Sequence, residues 1–402
     1  MRVAIVGAGI GGPTLAYWLR RLGHEAVLFE KAPAPRTGGY LIDFWGLGYD
    51  LAERMGILPA LTERGYLMQR LSMVDANGRE EAGMNVVPLR RQLRGRFISI
   101  ARADLASAIL RACDGVQTHY GVSVDAVTED HDRVRIALTN GVRETVDLLV
   151  GADGLHSKVR ELVFGPEERF ETSLGCYVAA FRLRDYPRRD ELTYVSHTIP
   201  KRHVSRVALH GGDTLVLLVC RSEVLEGGPP RESPKAALRR AFGDMKWEVP
   251  ALLEGMNDVD DLYFDRVSQV HLPHWYSGRT ALLGDAAACA SLLAGEGTGL
   301  AMIEAYVLAG ELNRFSGDVP RALASYEARL RPFVKAKQKA AVRFRGFFAP
   351  RTAIGLAVRD LAVNTFALPF VGKRLVTRAV RDELALPDYE HGESMQELHL
   401  PA

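Results

Sequence analysis

Gly7, Gly9 and Gly12 follow directly on the apolar run Val3–Val6, and Glu30 ends a second apolar run about twenty residues later. These residue types, in this order, have the means to hold a dinucleotide. A glycine in the first position permits a tight turn out of a strand. In the second it lets the backbone approach a pyrophosphate, and in the third it lets a helix pack closely on the strand. The helix that starts there presents unpaired N–H groups and the positive end of its dipole. A carboxylate at the end of the second strand can accept hydrogen bonds from a ribose diol. A βαβ unit whose glycines serve packing alone fits the same residues, and nothing in them separates NAD, NADP and FAD.

Later groups could add to such a site. Arg102 opens a helix expected over Arg102–Ala112, where the dipole favours acids. A cation there suits an anionic partner such as a phosphate, or simply the surface. Leu148–Val150 leads into Gly151-Ala152-Asp153-Gly154, with a short helix opening at 156–160, and Arg279–Leu283 leads into Gly284-Asp285-Ala286-Ala287. Both read as buried strands breaking into glycine turns. Gly295-Glu296-Gly297-Thr298-Gly299 then starts a helix over Leu300–Leu312, a second dipole-positive end with small residues in front of it. Arg36 and Asp43 lie in or just after the Pro/Gly-rich loop Lys31–Gly39, beyond the carboxyl end of the second strand, where α/β sheets bind ligands. A solvated loop position suits these two charges equally.

Positioning these groups calls for an α/β fold, with a Rossmann-like domain built on a parallel sheet. Elsewhere the texture changes. Asn77-Gly78 predicts a hairpin between Met68–Val74 and Arg79–Glu81. Tyr177–Leu183, Arg206–His210 and Thr214–Cys220 read as antiparallel strands, with helices near 233–243 and 248–255. We assign residues 1–67, 98–170 and 272–345 to the dinucleotide-binding domain. Residues 68–97 and 171–271 form an α+β substrate domain with a mainly antiparallel sheet, and 346–402 a C-terminal helical segment. Gly121–Val127 is expected as one strand. Tyr177, Phe181, Leu209 and Leu218 are expected to line an apolar pocket suited to an aromatic or polycyclic ligand.

At 402 residues, 47% hydrophobic and 25% charged, the chain has the composition of a globular protein with room for more than one domain. A net charge of +2 without long basic runs gives no reason to expect nucleic acid. The four cysteines lack metal spacing and suit a reducing cytoplasm. A strand starting near residue 2 leaves no room for a signal peptide. The apolar stretches around 281–310 and 352–372 are broken by charges, so no membrane span is expected.

Taken together, Gly7-x-Gly9-x-x-Gly12 with Glu30, Gly151-Ala152-Asp153-Gly154-x-x-Ser157-x-x-Arg160, and Gly284-Asp285-Ala286-Ala287 followed by Gly295-x-Gly297 resemble the class A flavoprotein monooxygenases. These are enzymes similar to para-hydroxybenzoate hydroxylase and to the tetracycline-inactivating monooxygenases. The resemblance implies FAD, bound without a covalent link. Glu30, with Lys31 beside it, would hold the adenosine ribose, and Val124 would lie near the adenine. Arg102 would reach the phosphate and ribitol region, and Asp285 the ribitol or pyrophosphate. Gly284 would shape that turn, and Gly295, Gly297 and Thr298 would face the pyrimidine edge. Arg36 would be linked to NADPH and Asp43 to FAD, and the segment with Asp153-Gly154 and Arg160 would serve both.

The resemblance further implies that NADPH or NADH reduces the flavin, O2 adds at C4a, and the resulting hydroperoxide passes one oxygen atom to the substrate. No catalytic acid or base can be named, and monomer and homodimer are both compatible. The chain departs from the family at Ala288 and Leu292, where many members carry histidine and proline beside the flavin. A loop without that proline is expected to be freer. A prenyl-chain reductase and a non-catalytic flavin-binding protein are the competing readings; O2 uptake with a hydroxylated product separates the monooxygenase from both.

Overall fold

The computed structural model describes residues 1–36, 38–187, 189–226, 232–366 and 384–389. Its first sheet has six strands in the order Tyr276–Ser277, Thr280–Leu282, Leu148–Gly151, Arg2–Val6, Glu25–Glu30 and Gln117–Tyr120. All neighbours are parallel except the Tyr276–Ser277 edge. The middle strands read as unbroken apolar runs because helices cover both faces; Val3, Ala4, Ile5, Leu148, Leu149 and Val150 have no exposed surface. From Arg2–Val6 the chain moves to Glu25–Glu30 on one side and later lays Leu148–Gly151 on the other. That reversal opens a crevice at the carboxyl ends of the strands.

A seven-stranded sheet stands beside it, in the order Tyr263–Val270, Glu171–Leu183, Thr214–Arg221, Arg202–Ala208, Thr193–Ile199, Arg70–Val74 and Glu80–Asn85. Its pairs are antiparallel apart from Thr193–Ile199 with Arg70–Val74. The hairpin around Asn77-Gly78 therefore extends a sheet whose other strands lie some hundred residues away.

Two expectations are corrected. Tyr177, Phe181 and Leu218 point to the face covered by helices Pro234–Phe242 and Val249–Gly255 and form core with Val216, Leu238 and Phe242. Leu209 packs with Tyr66, Met68 and Leu215. None of the four lines a pocket, because side chains alternate along a strand and these belong to the face that the following helices bury. The opposite face, with Cys176, Val178, Val219 and Val267, meets Leu292, Leu293 and Ala349. The strand expected over Gly121–Val127 is two elements. Gly121 turns the chain with φ +70°, so Gln117–Tyr120 completes the parallel sheet. Val124–Glu129 instead joins a three-stranded antiparallel sheet with Val134–Leu138 and Arg143–Val146.

The helix Gly297–Arg314 is apolar on every side and correspondingly enclosed, from Leu300 to Leu312. The long helix Val319–Phe348 follows, then Ala353–Phe366. Residues 384–389 return to the fold, where the Tyr306 hydroxyl donates to the Pro387 carbonyl at 2.8 Å. The helical expectation for 367–383 and 390–402 lies outside the described residues. Among the described residues no helix is long and apolar enough to cross a membrane, and no cluster of metal-ligating side chains occurs.

Candidate active site

The crevice at the strand ends deepens into a cleft with about 890 Å³ of space, part of it open to solvent. Its walls are built from the turns at Gly9–Gly11 and Ala152–Leu155, from Tyr40, Ile42 and Arg102, from the stretch between Leu283 and Ala301, and from the Tyr263–Val270 strand of the second sheet. Gly9, Arg102, Gly284, Asp285, Gly295, Gly297 and Thr298, all singled out in the sequence, line this cleft together.

Gly7 and Gly12 stand behind the lining and make it possible. Gly7 has φ +108°, and a Cβ there would sit 2.3 Å from the Ala152 carbonyl oxygen. A Cβ on Gly12 would meet the Gly7 carbonyl oxygen at 1.9 Å. Glu30 ties the turn from below, accepting the N–H of Ala8 at 2.8 Å and of Ala32 at 2.9 Å. Asp153 stands just behind the lining residue Gly154. It accepts from the Ser157 hydroxyl at 2.5 Å and from the N–H groups of Lys158 and Val159 at 2.7 and 3.1 Å, which organises the start of helix Lys158–Phe164.

The remaining sequence candidates lie elsewhere. Asp43 accepts from the Tyr194 hydroxyl at 2.9 Å and from Ser99, and burial raises its carboxyl. It lines a smaller recess of about 370 Å³ that shares Gly295 with the cleft. Lys31 and Arg36 are exposed on the loop after Glu30, and Val124 is enclosed in the core beside the parallel sheet. Thr37 falls outside the described residues.

The electrostatics of the cleft favour an anion. The first residues of helices Gly11–Arg21 and Gly297–Arg314 both face it, each bringing unpaired N–H groups and a positive dipole end. Arg102 lies across from Gly9, its guanidinium 3.4 Å from where a Cβ on that glycine would be. Its backbone N–H is held by the Tyr40 carbonyl at 3.0 Å. Burial raises the Asp285 carboxyl, while a hydrogen bond from Cys289 and the charges of Arg102 and Arg160 work against that rise. Ser268, 2% exposed on the cleft wall, has a hydroxyl with no protein partner among the described residues. Two helix ends and a guanidinium fit a long phosphate-bearing ligand such as FAD.

Some residues that support this site escaped the sequence reading, and one was given another role. Arg160, expected in the segment serving FAD and NADPH, has no exposed surface. It donates to the Leu155 carbonyl at 2.5 Å and the Ala286 carbonyl at 3.1 Å, bracing two walls at once. Glu304, 1% exposed, accepts the Gly284 N–H at 2.5 Å, and burial pushes its carboxyl up to about 8. One acid in the middle of an apolar helix was the available signal. Tyr40 and Tyr263 meet edge to face at 5.7 Å on the cleft wall, and burial pushes the Tyr40 phenol up to about 12.

At the mouth, Arg266 donates to Glu171 at 2.6 Å and Glu167 at 3.1 Å. His156 is held between Asp265 at 3.1 Å and Glu167 at 2.9 Å, and these hydrogen bonds, Asp265 first, raise its imidazole to about 9. An imidazolium clasped by two carboxylates is a structural link, not a free base.

The model of the FAD binding domain family matches residues 1–341 of this chain. It belongs to that family and is an FAD-dependent monooxygenase. A flavin-dependent monooxygenase from an unknown prokaryotic organism is 33% identical over 395 residues, covering 97% of this chain and 99% of its own. The crystal structure of tetracycline destructase Tet(51) superposes with a TM-score of 0.81 at 30% identity, over 97% of this chain and 99% of that one. Klebsiella pneumoniae HpxO complexed with FAD and uric acid shares the fold, with a TM-score of 0.76 at 21% identity over 94% and 95% of the two chains.

Proposed function

We propose that this monooxygenase uses NAD(P)H and O2 to hydroxylate an aromatic or polycyclic small molecule. The observation that carries the reading is the composition of the cleft. One wall comes from the two glycine turns and the other from Tyr263, Arg266 and Ser268 of the antiparallel sheet, so a cofactor on the first wall faces a substrate on the second. Similarity at 30% identity to a tetracycline destructase supports a polycyclic substrate.

FAD bound in the cleft supplies the redox and oxygen chemistry. Gly9, Gly11 and Arg102 would receive its pyrophosphate, and Glu30 keeps acceptor capacity for a ribose beside the two N–H groups it already holds. Asp285 and the N–H groups opening helix Gly297–Arg314 would hold the more distant part of the cofactor. Tyr40, Tyr263 and Leu292 present ring and aliphatic surface that orients an apolar ligand and keeps water from it. Arg36 and Asp43 are proposed for NAD(P)H and FAD contact only as the family resemblance places them.

The test is NAD(P)H oxidation in air against a panel of phenols and polycyclic antibiotics, with product masses. A compound that accelerates oxidation and gains one oxygen atom is the expected result. If bound flavin is never reduced by either nicotinamide with any compound, the proposal falls.

A further inference from the structure

The turn from Asp285 to Gly295 contributes Cys289, Ser291 and Leu292 to the cleft wall. Ser291 has φ +152° and ψ +140°, a region almost closed to residues that carry a side chain. Such a conformation persists only where the surroundings impose it. Two buried glutamines surround this turn, Gln269 at 4% exposure and Gln338 at 6%.

Gln269, on the last strand of the antiparallel sheet, donates through Nε2 to the Ala290 carbonyl at 2.6 Å and to the Gln338 carbonyl at 2.7 Å. Gln338, on the long helix, donates through Nε2 to the Cys289 carbonyl at 3.2 Å and to the Val270 carbonyl at 2.8 Å. The two carboxamides thus close a ring through sheet, helix and turn, and grip the two carbonyls immediately before Ser291. On the far side the Ser291 hydroxyl accepts the Leu293 N–H at 3.2 Å. Leucine or methionine would fill either buried position without the cost of burying an amide. Directional bonds are what a carboxamide adds there.

We infer that Gln269 and Gln338 are positioning residues: they clamp Cys289–Ala290, hold Ser291 in its strained conformation, and so fix the turn that faces the flavin. The turn lacks the family's proline near Leu292, and the clamp supplies the rigidity that was expected to be missing. This rests on FAD occupying the cleft.

The whole chain is reconstituted with FAD and compared with Gln338→Met, which removes both donated bonds at nearly constant volume. The variant should bind FAD about tenfold more weakly. Its flavin absorption bands and reduction potential should shift, while its far-ultraviolet circular dichroism stays the same. Adding Ser291→Gly, which opens the required φ without strain, should return affinity and spectrum toward wild type. A Gln338→Met protein that melts lower yet binds FAD with wild-type affinity, spectrum and potential would overturn the inference.

If Gln338→Met does not fold, Ser291→Gly alone decides. A melting temperature raised by a few degrees with an unchanged flavin spectrum supports a strained, clamped turn; an equal or lower one overturns it. Amide exchange without cofactor separates the two readings. Faster exchange over 288–295 in Gln338→Met supports the clamp and unchanged exchange refutes it, whereas failure of the wild type to bind FAD refutes only the cofactor assignment.

Discussion

The turn at Gly7–Gly12 is held mainly by its own backbone and by Glu30, with the Ala152 carbonyl pressed against Gly7, whereas the turn at Gly284–Ser291 hangs from the buried side chains of Arg160, Gln269, Glu304 and Gln338. In the first, the missing Cβ atoms of Gly7 and Gly12 and the two bonds accepted by Glu30 account for most of the geometry. In the second, a small-residue sequence leaves the backbone many paths, and buried polar side chains from four other places select one. Both turns end at a helix N-terminus on the same cleft. The same task, presenting N–H groups to the cleft, has thus been met once mainly by backbone sterics and once by buried side-chain hydrogen bonds.

Local sterics should fail abruptly. Gly12→Ala drives a methyl group into the Gly7 carbonyl, a backbone atom that no rotamer change can move aside. We expect a loss of more than about 3 kcal/mol, or no folded protein, together with loss of FAD binding. Urea unfolding and flavin titration measure both, and near-native values would break the account of the first turn.

Remote support should fail by the bonds removed. Arg160→Met leaves the Leu155 and Ala286 carbonyls unpaired in the interior, at a cost of roughly 2–3 kcal/mol. A comparable loss of FAD affinity should accompany it, since both carbonyls belong to cleft turns. Equilibrium unfolding of the variant that matched wild type would remove Arg160 from the support.

A third effect is spread across pH. Burial lifts the Glu304 carboxyl to about 8, above its ordinary value of 4.5, so the folded chain keeps a proton that the unfolded chain releases. Stability from this group is fully present below about 4.5, declines as pH rises toward about 8, and is level beyond, with a slope of at most about 1.4 kcal/mol per pH unit. Glu304→Gln retains an oxygen for the Gly284 N–H and cannot ionise. Unfolding free energies of the variant across this window should run flat where the wild type falls; parallel curves would assign the buried proton to another group.

Much of the first turn could be read from Gly7, Gly9, Gly12 and Glu30, because their spacing follows from one strand, one turn and one helix. The Arg102–Ala112 helix and the Asn77-Gly78 hairpin were legible for the same reason: each depends on neighbours in sequence. Tyr177, Phe181 and Leu218 were misread because alternation identifies a strand's two faces without saying which one later helices will cover. Strand Tyr263–Val270 went unrecognised, and with it Arg266 and Ser268. Its partner Glu171–Leu183 lies about ninety residues earlier, and its mixed polar sequence has no strong alternation.

By itself the sequence determined a parallel α/β core with three glycine turns, and the dinucleotide chemistry that helix N-termini and close backbone approach make possible. Those features rest mostly on the strand, turn and helix that adjoin each motif. Only the tertiary structure decided that the turns share one cleft, that an antiparallel sheet forms its opposite wall, and that Arg160, Glu304, Gln269 and Gln338 support it from behind. Those four act through hydrogen bonds to backbone atoms that are distant in sequence or set on other elements. Which atom a buried polar group reaches is fixed by packing, and packing has no signature in local spacing.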